Sequence, residues 1–101
     1  MLLSVLITSH NQGELLRRCI ESVVKQALPF EYEIIISDDN SSDGTWELAL
    51  ALAAEYGVIR VHRFNSDDYS PVSRSQRCAW NQGNAFHHSY GKYFIHVDAD
   101  D

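Results

Sequence analysis

Glu33-Ile34-Ile35-Ile36-Ser37-Asp38-Asp39-Asn40-Ser41-Ser42-Asp43-Gly44-Thr45 decides the fold. It passes from an apolar run of strand length through an acidic, polar cluster into a segment whose apolar positions Trp46, Leu48, Ala49, Leu52 and Ala53 recur at helical spacing. Outward from it the same order repeats. Strands are predicted near 3–9, 32–38, 58–63 and 92–97, with three helices between them. The first should begin at about Gly13, capped by Asn11 with Glu14 as in a capping box, carry Leu15, Leu16, Cys19, Ile20, Val23 and Val24, and stop before Pro29. The second runs from about Gly44 to Tyr56, capped by Ser42 or Asp43 and closed by a left-handed Gly57. The third runs from about Ser75 to Tyr90, closed by Gly91 and weakened in its middle by Asn81-Gln82-Gly83-Asn84. Alternating strands and helices predict an α/β fold, a Rossmann-like parallel sheet flanked by helices, and right-handed crossovers order the strands 3-2-1-4.

In such a sheet, ligands bind beyond the carboxyl ends of the strands, where the strand order reverses. Each polar cluster falls at such an end: Thr8-Ser9-His10-Asn11 after strand one, Asp38 to Gly44 after strand two, and Asp98-Ala99-Asp100-Asp101 after strand four. Three carboxylates following one strand are hard oxygen donors, suited to Mg²⁺ or Mn²⁺ and to no thiol-loving metal. A diphosphate carried on such an ion and joined to a ribose and a base would satisfy the crevice. Asp98 could accept from ribose hydroxyls, Asp100 could hold the metal, and Asp39 could accept from the N–H of a pyrimidine.

Blander roles compete at other positions. Asp38 and Asp43 read as turn and cap residues, His62, His87, His88 and His96 as structural histidines, and Trp46, Trp80, Phe86 and Phe94 as core. Arg74 and Arg77 could reach a diphosphate or simply face solvent. Asn65 to Pro71 reads as a mobile polar loop.

Composition narrows the partners. Eight Lys plus Arg against fourteen Asp plus Glu leave a net charge of −6 with no basic run, which argues against nucleic acid. The apolar start breaks off at Thr8 with no basic region before it, so neither a signal peptide nor a membrane span is expected. Cys19 and Cys78 lack a C-x-x-C spacing and read as buried reduced thiols, which points to a cytoplasmic chain.

Four motifs in order carry a family resemblance. Ser4-Val5-Leu6-Ile7-Thr8-Ser9-His10-Asn11 precedes an amphipathic helix with Ser22 and Gln26. Glu33 to Thr45 follows, then Asn81 and Gly83 ahead of Gly91-Lys92-Tyr93-Phe94-Ile95, then Asp98-Ala99-Asp100-Asp101. Together they resemble the family 2 glycosyltransferases of the GT-A fold, over essentially the whole chain. The resemblance implies that residues 1–101 are the N-terminal, nucleotide-sugar-binding part of a glycosyltransferase domain that ends just after a D-x-D motif. It implies a UDP-sugar donor bound with Mn²⁺ or Mg²⁺ and an acceptor that is a glycan, lipid or protein. The donor site it implies is Thr8, Ser9, His10, Asn11, Asp39, Asp98 and Ala99, with Asp100 as metal ligand. No catalytic base is expected in the chain itself; that group should lie downstream of Asp101, any membrane association should rest on segments outside this chain, and strand four should be left an exposed edge.

Gln12 stands where the family often has Glu, and Trp80-Asn81 where it often has Arg-Asn, so an acidic contact and a diphosphate contact are in doubt unless Arg74 or Arg77 replaces the second. Against a sugar-nucleotide pyrophosphorylase, Thr8 to Gln12 holds no glycine; against a haloacid-dehalogenase-type phosphatase, the Asp-x-Asp follows the fourth strand. A non-catalytic nucleotide-binding or interaction module remains the alternative.

Overall fold

A computed structural model describes residues 1–69 and 73–99. Strands β1 (Leu3–Ser9), β2 (Tyr32–Asp39), β3 (Ile59–Phe64) and β4 (Tyr93–Asp98) pair in the order β3-β2-β1-β4, all parallel, as predicted. Helices α1 (Glu14–Val24) and α2 (Thr45–Glu55) follow β1 and β2, a 3₁₀ turn (Ser66–Tyr69) follows β3, and α3 (Arg74–His87) leads into β4. The chain steps outward from β1 to β3, and α3 then returns it to the other side of β1. The reversal therefore lies between β1 and β4, whose partners include Thr8 and Asp98.

The two faces of the sheet differ in chemistry. Val5, Ile7, Ile34, Ile36 and Ile59 meet Leu16, Cys19 and Ile20 of α1 and Ala49 and Leu52 of α2 in the main core. Each large aliphatic side chain there contributes about 1.5–3 kcal/mol by leaving water. The opposite face has a core of only Leu6, Ile35 and Ala85, and polar groups complete it. Ser37 Oγ donates to Asn81 Oδ1 (2.6 Å), Asn81 Nδ2 donates to the Ser37 carbonyl (3.0 Å), and Asn84 Nδ2 donates to Ser37 Oγ (2.7 Å). The stretch that lowers helix propensity in α3 is thus what fastens α3 to β2, tertiary bonding overriding local preference.

A second network holds the entrance to β4. Glu33 accepts from Ser4 Oγ (2.5 Å), from the Tyr90 N–H (2.6 Å) and from Arg60, and the Gly91 N–H donates to Ser4 Oγ (2.7 Å). Burial pushes the Glu33 carboxyl up, but these donors outweigh it and hold it below its ordinary range. Gly91 does not close α3, which ends at His87. A Cβ on Gly91 would stand 2.5 Å from the Ser4 nitrogen, so the glycine is needed for close approach to β1.

Other local expectations change in the same way. Gly57 has no left-handed φ; α2 ends on an extended Tyr56 whose N–H bonds the Leu52 carbonyl. Asn11 does not cap α1, because its side chain is drawn to the next loop, and Glu14 pairs with Arg17 instead (3.3 Å). Phe86 and Phe94 are each 53% exposed and pack edge to face against one another, on the uncovered side of β4 rather than in the core. As expected, β4 is an edge, with Tyr93 and Ile95 also at least half exposed. Among the described residues no helix is long and apolar enough to cross a membrane.

Candidate functional site

At the carboxyl end of the sheet lies a cleft of about 190 Å³. Thr8, Ser9, His10 and Gln12 line it from the β1 end, Asp39 from the β2 end, and Asp98 and Ala99 from the β4 end. Arg74, Arg77, Cys78, Asn81 and Gln82 of α3 form the facing wall. Six of the predicted site residues thus converge. Asn11 belongs to the supporting structure, and Asp100 lies outside the described residues.

The wall made by the β1 and β2 loops is tied together at several points. Asp38, fully buried, accepts from Ser9 Oγ (2.6 Å), Ser41 Oγ (2.6 Å) and the Ser41 N–H (3.1 Å), which matches its reading as a turn residue. The Asn11 N–H donates to Ser41 Oγ (2.9 Å), the Ser42 N–H to Asn11 Oδ1 (2.8 Å), and the Gly13 N–H to Thr45 Oγ1 (3.0 Å). Asn11 and Asn40 both have left-handed φ, 54° and 49°, a conformation that asparagine tolerates better than most residues. Asp43 accepts from Thr45 Oγ1 (2.5 Å) and the Thr45 N–H (3.1 Å), and the hydroxyl bond above all holds its carboxyl below the ordinary range. His10 Nδ1 lies 2.6 Å from the Asp39 carbonyl, which can only accept, so Nδ1 carries the proton. Gln12 receives the His10 N–H on its Oε1.

Asp39 is 7% exposed, and both its oxygens are engaged from one side: Oδ1 accepts the Ser66 N–H (2.8 Å) and Oδ2 the Ser66 hydroxyl (2.7 Å). A carboxylate offers about four lone-pair sites, so acceptor capacity remains. The segment read as a mobile loop is therefore pinned at Ser66, which is fully buried at the start of the 3₁₀ turn. Residues 70 and 71 of that segment lie outside the described residues.

The two arginines separate. Arg77 Nη1 binds Asp67 (2.6 Å) and Ser66 Oγ (3.0 Å), whereas Arg74 has no ion pair or hydrogen bond among the described residues. Asp98 has a half-exposed side chain, 3.7 Å from His96 Nε2, which also lies 3.3 Å from Thr8 Oγ1. His96 thus bridges the ends of β1 and β4 beneath the cleft, in keeping with the structural role predicted for it. Its position two residues before Asp98, on the same face of a strand, was the available signal. Cys78, predicted buried, is exposed in the cleft wall, while Cys19 is buried, and neither forms a disulfide. Among the described residues no three His, Cys, Asp or Glu side chains gather to hold a metal. The donor set is nonetheless hard: Asp98 offers half-exposed carboxylate oxygens where the sequence runs on to Asp100.

A family model, "Glycosyl transferase family 2", matches residues 4–101. The uncharacterized glycosyltransferase YibD of Escherichia coli K12 is 37% identical over 100 residues, 98% of this chain and 26% of that protein. The crystal structure of S. aureus TarS 1–349 superposes with a TM-score of 0.80 at 22% identity, over 100% of this chain and 28% of that one, and TarS has also been solved in complex with UDP-GlcNAc. The mannosyltransferase PcManGT of Pyrobaculum calidifontis, in complex with GDP-Man and Mn²⁺, gives 0.79 at 19% identity, over 97% of this chain and 27% of that one. At these identities the structural likeness speaks for the fold. The chain spans about a quarter of the length of the curated relative.

Proposed function

The chain belongs to glycosyl transferase family 2, and from that premise we propose that the cleft binds the nucleotide diphosphate of a sugar donor, with uridine as its base. The observation that carries this is the meeting of Asp39 and Asp98 in one cleft beside the β1/β4 reversal, with the guanidinium of Arg74, which has no ion pair or hydrogen bond among the described residues, on the facing wall. Asp39 accepts the N3–H of uracil through its remaining lone pairs. Thr8, Ser9 and His10 flank the base, and Asn11 keeps that wall in place through Ser42. Asp98 accepts from the ribose hydroxyls, with the Ala99 backbone beside it. Arg74, rather than the engaged Arg77, meets the diphosphate, where a guanidinium fork suits phosphate oxygens.

Asp100 would hold a divalent ion, Mn²⁺ or Mg²⁺, as a hard oxygen ligand. When bound, such an ion neutralises charge on the leaving diphosphate. Complexes of the two solved relatives, one with UDP-GlcNAc and the other with GDP-Man and Mn²⁺, support a nucleotide-sugar donor of this general kind. Residues 1–101 act as the donor-binding part of the domain. The acceptor is a glycan, lipid or protein, and the general base that takes its proton lies outside residues 1–101.

Calorimetry of the purified protein with UDP, in Mn²⁺ and then in excess chelator, tests this. Binding should require the ion, and Asp100→Ala should abolish that requirement. Equal affinity in both solutions would refute the site as drawn.

A further inference from the structure

We propose that Ser66 is a positioning residue that sets the base preference of the cleft by fixing the Asp39 carboxylate. This deepens the proposed function and rests on its assignment of Asp39 to the base. The argument begins from hydrogen inventory. Arginine has donors and no acceptor, so the 3.0 Å contact between Arg77 Nη1 and Ser66 Oγ uses a lone pair of the hydroxyl. The single hydroxyl hydrogen is then committed to Asp39 Oδ2, 2.7 Å away. The Ser66 N–H takes Oδ1 at 2.8 Å, so one residue grips both oxygens and rotation of the carboxylate breaks both bonds at once. The direction of the chain is unambiguous: Arg77 donates to Ser66, and Ser66 donates to Asp39.

Two consequences bear on the base. The carboxylate plane is fixed, so the lone pairs left over keep one orientation toward the cleft. The hydroxyl hydrogen of Ser66 is already spent on Oδ2, so what Asp39 turns to the cleft is acceptor lone pairs. Such a group suits uracil, whose N3 carries a hydrogen, and opposes cytosine, whose N3 carries a lone pair. An unanchored carboxylate could turn its lone pairs away and would discriminate less between the two bases. Asp67 contributes by holding Arg77 at 2.6 Å, so α3, the 3₁₀ turn and the end of β2 act on the base through one serine.

The test is the ratio of UDP to CDP affinity, measured by calorimetry in Mn²⁺ on the purified protein and on Ser66→Ala, Ser66→Cys, Ser66→Thr and Asp39→Asn. Loss of one anchoring bond should lower the UDP:CDP ratio about tenfold in Ser66→Ala, with Ser66→Cys between and Ser66→Thr, which keeps the hydroxyl, close to the parent. A purely structural serine would lower both affinities together and leave the ratio alone, and that result overturns the proposal. If Ser66→Ala does not melt cooperatively, Ser66→Cys is judged by the same ratio. A ratio that falls in Asp39→Asn but holds in every Ser66 variant refutes the role of Ser66 while the base assignment stands. A ratio that holds in Asp39→Asn as well refutes both.

Discussion

Gly91→Ala should be among the most damaging single-methyl changes in this chain. The added Cβ would lie 2.5 Å from the Ser4 nitrogen, 2.5 Å from Ser4 Oγ and 2.7 Å from the Tyr93 carbonyl oxygen, all far inside the 3.4–4 Å of ordinary contact. Two of the three are backbone atoms that cannot swing away. Relief requires the entry to β4 to back off β1, which breaks the Gly91 N–H to Ser4 Oγ bond (2.7 Å) and stretches the Tyr93 N–H to Leu2 carbonyl bond (2.9 Å). Overpacking of this kind costs about 1–3 kcal/mol, a lost hydrogen bond about 1, and the stiffer unfolded chain returns about 0.5. The net loss is about 2–3 kcal/mol, a fall of about 10–15 °C in Tm for a domain of this size. Urea denaturation with a thermal melt measures it. Gly83→Ala is the control: nothing lies within 4 Å of its Cβ, and a helix-interior alanine should gain up to about 1 kcal/mol. Because β4 entry sets the register that pairs Thr8 with Asp98, Gly91→Ala should also weaken UDP binding. A midpoint within about 0.5 kcal/mol of the parent would refute the close-approach argument.

Asp39→Asn should cost about 1–2 kcal/mol of UDP affinity, since a neutral amide still offers an acceptor but loses charge assistance; Mn²⁺ affinity, read by competition, should change little. His62 and His88 stack at 3.7 Å with rings 5° apart, the buried His62 Nε2 has no hydrogen-bond partner among the described residues, and burial first holds both below their ordinary pKa. The unfolded chain therefore binds more protons just below pH 6.5, so the urea midpoint should fall from pH 7.5 to 5.5, and His62→Phe, which keeps a ring in the stack, should flatten that fall. The Glu33 carboxyl, held low, gives stability present above about pH 4.5 and lost as pH drops through its lower folded value; Glu33→Gln should flatten that second decline. The 101-residue chain by itself should release no nucleoside diphosphate from any sugar donor and acceptor, because a general base must sit within hydrogen-bond reach of the acceptor hydroxyl. Acceptor-dependent turnover that Asp100→Ala abolishes would show that the transfer site is already complete.

The sheet was legible because its evidence is periodic and local. Apolar runs of strand length, helical spacing and polar clusters at strand ends gave the order 3-2-1-4 and gathered Thr8, Ser9, His10, Asp39, Asp98 and Ala99 at one cleft. What escaped was nonlocal. Gly57 and Gly91 look alike in sequence, yet one sits in open space and the other against β1, a neighbour 87 positions away. Ser66 looks like any polar loop residue until β2 is placed beside it. Asn81 and Asn84 lower helix propensity in isolation and hold the helix in place once Ser37 is opposite. Phe86 and Phe94 read as core because hydrophobicity alone cannot say which strand lies at an edge.

The ties at the mouth of the cleft are distributed unequally. On the β1/β2 side, Asp38, Asn11, Ser41 and Thr45 bind two loops to each other, so a change at one is felt by all. On the other side, among the described residues, a 3₁₀ turn and a helix are joined through Arg77 and the edge contact of Tyr69 with Trp80. Such an arrangement separates what can be inherited from what can be retuned. Substitutions between 66 and 82 could shift the choice of donor while the opposite wall kept its shape, making that short stretch the economical place for evolution or an engineer to begin.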